Sequence, residues 1–208
     1  MIFDKKTDYL FWRKFQFYLL KKYGAKPEHK LLDYGCGEFY GLGEYGNRVG
    51  PLLIKYLDEG NYYGLDIRKS VYKENTKIVQ EQEELEAKHP KLIYIENMDS
   101  VQIFETFDYV WAFSVVIHMG DEILDKFLNF VSSHLKKTGV LYMNVNIAPR
   151  NTRCYWKGFP VVERPMNFYT VLTGKYGLTI TDIGGLASFG YRHDPAAERQ
   201  RMLRVTRV

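Results

Sequence analysis

The chain has 208 residues, 46% of them hydrophobic, 16% aromatic and 26% charged, with a formal net charge of +4. This size and balance predict one soluble globular domain with a sizeable core and argue against two full domains. Two cysteines, Cys36 and Cys154, exclude a multi-bridge disulfide framework and fit a reducing cytoplasm.

The opening stretch MIFDKKTDYLFWRKFQF interrupts its apolar residues with charges. It therefore offers neither a signal-peptide core nor the roughly 20 apolar residues of a membrane span. From Asp8 to Lys22, Leu10, Phe11, Phe15, Tyr18 and Leu19 recur near helical spacing, and Gly24 supplies a stop. Apolar runs then alternate with helical stretches: KLLDY, a helix from Val49 to Leu57, NYYGLDI, a polar helix from Ser70 to Lys88, and KLIYIE.

The alternation continues with the strand FDYVWAF, a helix from Asp121 to Leu135 and the strand GVLYMNV. On that helix Ile123, Leu124, Phe127, Leu128 and Val131 share one side. IAPRNTRCYWKGFPVVERP shows no period and is expected to be an inserted loop, followed by a short helix from Met166 to Tyr176. LTITDIG and RMLRVTRV close the chain as an antiparallel pair. Apolar strands spaced by helices predict a doubly wound α/β fold: a mostly parallel seven-stranded sheet with an antiparallel C-terminal strand and helices on both faces. The leading helix (about 8–22) and the insert (about 146–165) are the expected substrate lid of this single domain.

In such a sheet the ligand sits beyond the carboxyl ends of the strands, where LLDYGCGEFYGLGEYG runs from Leu31 to Gly46. Its glycines suit tight turns or a ligand that approaches the backbone closely. The dinucleotide fingerprint G-x-G-x-x-G would need a glycine at position 40, where the chain has Tyr40. A pyrophosphate fits this loop poorly.

Leu31, Leu32, Asp33, Tyr34, Gly35, Cys36 and Gly37 resemble the first motif of the class I S-adenosylmethionine-dependent methyltransferases, and the likeness extends over most of the chain. Phe39 stands where that family often has a third glycine. The resemblance implies S-adenosylmethionine as cofactor, held by Asp33, Gly35, Cys36 and Gly37. Asp66, followed by Ile67, ends the second strand and would accept both ribose hydroxyls, since a carboxylate can take two donors at once. Met98 would lie against the adenine and Asp99 would receive its amino group, unless Asp99 caps the next turn. Ser114 would lie near the methionine end.

Methyl transfer needs alignment of the reactants and, for a hydroxyl acceptor, a base. His118, after the fourth strand, is the candidate base, with a structural role as the alternative and His193 beside Asp194 as a weaker candidate. Phe113-Ser114-Val115-Val116 replaces the Asn/Asp-Pro-Pro-Tyr turn of enzymes that methylate planar nitrogens. Asn144-Val145-Asn146 lacks the acids of metal-dependent relatives, so no catalytic metal is expected.

Tyr155 and Trp156, with cations nearby, suit a sugar or an anionic small molecule, or else anchor the insert. The expected activity is O-methylation of a small molecule, a sugar or sugar derivative among the acceptors. Basic residues near the two ends (Arg13, Lys14, Lys21, Lys22; Arg199, Arg201, Arg204, Arg207) leave an RNA or protein methyltransferase open. A non-catalytic cofactor-binding partner subunit is the other alternative.

Overall fold

A computed structural model describes residues 5–39, 49–97, 101–156, 158–191 and 199–208, and for 5–13 and 156 the backbone alone. The chain divides into two compact units, Met1–Val101 and Gln102–Val208.

In the first unit, β1 (Leu31–Tyr34), β2 (Tyr62–Asp66) and β3 (Lys91–Tyr94) are parallel, with β2 in the middle. Every residue of β1 and β2 is buried, as expected of parallel strands covered on both faces. The leading helix α1 (Lys5–Lys22) meets α2 (Val49–Tyr56) through an edge-to-face pair of Phe17 and Tyr56 with centroids 5.3 Å apart.

The helix expected from Ser70 to Lys88 is two helices, α3 (Lys69–Gln80) and α4 (Glu83–Glu86), with Gln82 extended between them. A continuous helix would carry Glu83, Glu84 and Glu86 toward its C-terminal end, where the helix dipole disfavours acids. After the break they occupy a first turn, where it favours them.

In the second unit, β5 (Leu135–Ile147) runs parallel to β4 (Phe107–Ala112) and antiparallel to the C-terminal strand β9 (Gln200–Arg207). As expected, β9 also forms an antiparallel pair with β8 (Leu178–Gly185). The helix α5 (Asp121–His134) buries Leu124, Phe127, Leu128, Phe130 and Val131, whereas Ile123 is about half exposed at the edge of that stripe.

The insert is a β-hairpin rather than a loop. Its strands β6 (Thr152–Trp156) and β7 (Phe159–Arg164) pair antiparallel, and β7 adds a parallel bridge to β5 at Asn146 and Ile147. Residues 152–155 are all exposed, so β6 has no dry face to impose an alternating pattern. The helix α6 (Met166–Gly174) follows directly. The architecture is α/β, with parallel strands and an antiparallel C-terminal strand.

Candidate functional site

The loop after β1 is built from backbone groups. Gly35 and Gly37 have φ of 73° and 64°, the left-handed region that side chains disfavour. This path lets the N–H groups of Gly35 and Cys36 both donate to the Leu65 carbonyl, at 2.7 and 2.9 Å. Asn75 on α3 clamps the outgoing chain. Its Nδ2 donates to the Gly37 carbonyl at 2.8 Å and its Oδ1 accepts from the Phe39 N–H at 2.9 Å. Sequence reading missed Asn75, although an amide in the apolar stripe of Val71, Ile78 and Val79 is a visible irregularity.

Asp66, at the end of β2, is 5% exposed and has donors on both oxygens. Oδ1 accepts from the Arg68 N–H at 2.9 Å and from Arg68 Nε at 3.2 Å; Oδ2 accepts from the Gly37 N–H at 3.0 Å and from Arg68 Nη2 at 3.4 Å. Arg68 also reaches Glu38, with Nη1 and Oε1 3.5 Å apart. Ile67, beside this acid, is 60% exposed.

Asp33 lies deeper, 3% exposed, and its Oδ2 accepts the Tyr62 hydroxyl proton at 2.9 Å. Burial pushes its carboxyl up to about 7; the Tyr62 hydrogen bond opposes that rise and the nearby Asp66 charge adds to it. Burial likewise raises the Cys36 thiol, which favours the neutral form. Phe39, fully buried, packs edge-to-face on Tyr62 and closes over Gly50, where an added Cβ would lie 2.4 Å from its ring.

In the second unit, Ser114 follows β4 with φ of 57°, unusual for a residue with a side chain. Its N–H donates to Asn144 Oδ1 at 2.5 Å, and Asn144 Nδ2 donates to Gln200 Oε1 at 2.9 Å. His118 ends the 3-10 turn Val116–His118, and its Nδ1 lies 2.7 Å from the Pro160 carbonyl of the hairpin. Its ring centroid is 5.8 Å from that of Phe159.

The buried Arg164 donates to the Met119 carbonyl at 2.7 Å and to Asp121 at 2.6 Å. Tyr155 is 67% exposed, with the Arg153 guanidinium 5.2 Å from its ring centre. Trp156 ends β6, and its side chain lies outside the described residues, as do Met98, Asp99, His193 and Asp194. Asp33, Gly35, Cys36, Gly37 and Asp66 thus come together in the first unit, and Ser114 and His118 lie on one turn of the second.

No family model and no curated sequence matches this chain. Solved structures do. A TehB-like SAM-dependent methyltransferase from Corynebacterium glutamicum superposes with a TM-score of 0.63 at 16% identity, over 93% of this chain and 88% of that one. The chain has the class I S-adenosylmethionine-dependent methyltransferase fold.

The glycopeptide N-methyltransferase MtfA is similar over the full length of both chains, with a TM-score of 0.68 at 10% identity. Magnesium protoporphyrin IX methyltransferase from Synechocystis, solved with bound SAM, covers 100% of this chain and 86% of its own, with a TM-score of 0.64 at 16% identity. At these identities the methyltransferase fold is what is shared. Among the described residues, no helix is long and apolar enough to cross a membrane.

Proposed function

We propose that this protein is an S-adenosylmethionine-dependent methyltransferase acting on a hydroxyl of a small molecule, with a sugar or sugar derivative as the favoured acceptor class. The observation that carries the reading is the contact of the Gly37 N–H with the buried Asp66 carboxylate, which joins the glycine loop and the diol-accepting acid in one cluster. The donor set suits a nucleoside. Two of the four donors on Asp66 are backbone N–H groups, whereas the Arg68 side-chain contacts at 3.2 and 3.4 Å are longer and come from a side chain 40% exposed. The two hydroxyls of a vicinal diol can replace these, one on each oxygen. Exposed Ile67 offers apolar surface beside the acid.

When bound, the cofactor would supply an electrophilic methyl group on a sulfonium, whose S–C bond breaks to leave a neutral thioether. The chain's own task is to align the acceptor oxygen and to take its proton as the new O–C bond forms, a role assigned here to His118. The neighbours' names cover glycopeptide nitrogen and a porphyrin, so fold alone does not select the acceptor. The support for a sugar-like or anionic molecule is the exposed Tyr155 with Arg153 over its ring, on the hairpin proposed as part of the lid.

Calorimetry tests the central reading. The expected result is tighter binding of S-adenosylhomocysteine than of NAD; the reverse order would overturn it. Strongly salt-dependent binding to polynucleotide would favour the RNA alternative.

A further inference from the structure

We infer that the β6–β7 hairpin sets the tautomer of His118, its Pro160 carbonyl holding the ring proton on Nδ1 so that Nε2 carries the basic lone pair. The use of that lone pair in catalysis rests on the proposed methyltransferase reading; the tautomer itself does not.

A carbonyl oxygen can only accept, so the 2.7 Å contact between Pro160 and Nδ1 requires the imidazole nitrogen to donate. Neutral imidazole has one proton to place, and holding it on Nδ1 makes Nε2 the acceptor. A base that abstracts a proton from an acceptor hydroxyl needs such a defined nitrogen.

Both ends of this hydrogen bond are anchored by buried groups. On the histidine side, the turn enters through Ser114, whose left-handed backbone is held by Asn144, itself fully buried and bonded to Gln200. The turn leaves through Met119, whose carbonyl accepts from the buried Arg164. On the hairpin side, Asn146 Nδ2 donates to the Val162 carbonyl at 3.2 Å, tying β7 to β5 two residues beyond Pro160. Pro160 pairs with Tyr155 across the hairpin, and that ladder position fixes its backbone. Phe159 packs against the imidazole and is itself 39% exposed, so whatever moves the exposed tip of the hairpin also bears on the ring. The insert thereby acts as a positioning element for the candidate base, and His118, Phe159 and Pro160 form one unit.

The test is a long-range proton–nitrogen correlation spectrum of the full chain labelled with nitrogen-15, at a pH where the ring is neutral. His118 signals are assigned by their loss in His118→Gln. The expected pattern is a pyrrole-type Nδ1 and a pyridine-type Nε2; the opposite pattern, or an averaged pair, overturns the proposal. A second variant replaces residues 154–161 with a two-residue Asn-Gly turn, keeping the Arg153 and Val162 pair that flanks them. It removes the Pro160 carbonyl and should abolish the Nδ1–H signature; a signature that persists would mean another group sets the tautomer. The wild-type spectrum decides the matter even if the shortened variant does not fold. The base reading has its own readout, the methyl-transfer rate of His118→Gln, so failure of one is not mistaken for failure of the other.

Discussion

The glycine loop of the first unit and the hairpin of the second hold their candidate groups in opposite ways. In the loop, a backbone N–H of Gly37 donates to a side chain, the Asp66 carboxylate, and Arg68 fills the remaining acceptor positions. In the hairpin, a backbone carbonyl accepts from a side chain, the His118 imidazole. The first arrangement depends on residue types, because only glycine adopts the loop's left-handed backbone cheaply and only an acid accepts several donors at once. The second depends on location, because every residue carries a carbonyl and what matters is which one is brought to the ring.

If the regions divide binding from chemistry, His118→Gln should slow single-turnover methyl transfer to a hydroxyl acceptor by about 10²–10⁴-fold. S-adenosylhomocysteine affinity should stay within about twofold, since a positioned base contributes to the rate and not to cofactor binding. Affinity falling in step with rate would break the comparison.

Asp33 sharpens the first region's side of it. Its folded-state value, about 7, lies above the ordinary 3.8. The folded chain therefore binds more protons than the unfolded chain between those values, and this stability, full below about pH 4, is lost as pH rises to about 7. Each unit is worth about 1.4 kcal/mol, so the loss is on the order of a few kcal/mol. Denaturant unfolding of Asp33→Asn across that window should lack this decline; an unchanged slope would assign it to other groups.

Asp66→Ala removes a charged acceptor and should weaken S-adenosylhomocysteine binding by roughly 1.5–3 kcal/mol in calorimetry. Unchanged affinity in a folded variant would put the ribose elsewhere.

The smallest effect belongs to Arg68. Its side chain occupies the acceptor positions that a diol would take, through a partly exposed ion pair of the kind worth roughly 0.2–1 kcal/mol. Arg68→Ala should therefore tighten cofactor binding by no more than about fivefold. Weaker binding instead would make Arg68 a cofactor-holding residue and remove it as a competitor.

Legibility followed the same division. β1 and β2 read clearly as buried parallel strands because each is an apolar run carrying a single acid, with no polar alternation to mark a wet face. The split of the polar helix at Gln82 was missed because a helical period runs through the junction and only the clustered glutamates argue for a restart. Asn75 was readable in principle, as an amide among apolar stripe positions, whereas the hairpin was not, since residues 152–155 of its first strand are all exposed.

By itself the sequence determined the alternation of strands and helices, a glycine-rich loop after the first strand, and the acid that ends β2. Each of these follows from a local requirement of period, backbone freedom or charge that particular residue types must meet. The tertiary structure alone decided that Asn144 and Gln200 brace the Ser114 turn and that the Pro160 carbonyl meets His118. These contacts span 30 to 56 residues of chain and use groups with no distinctive spacing, so only the packing of β4, β5, β7 and β9 brings them together.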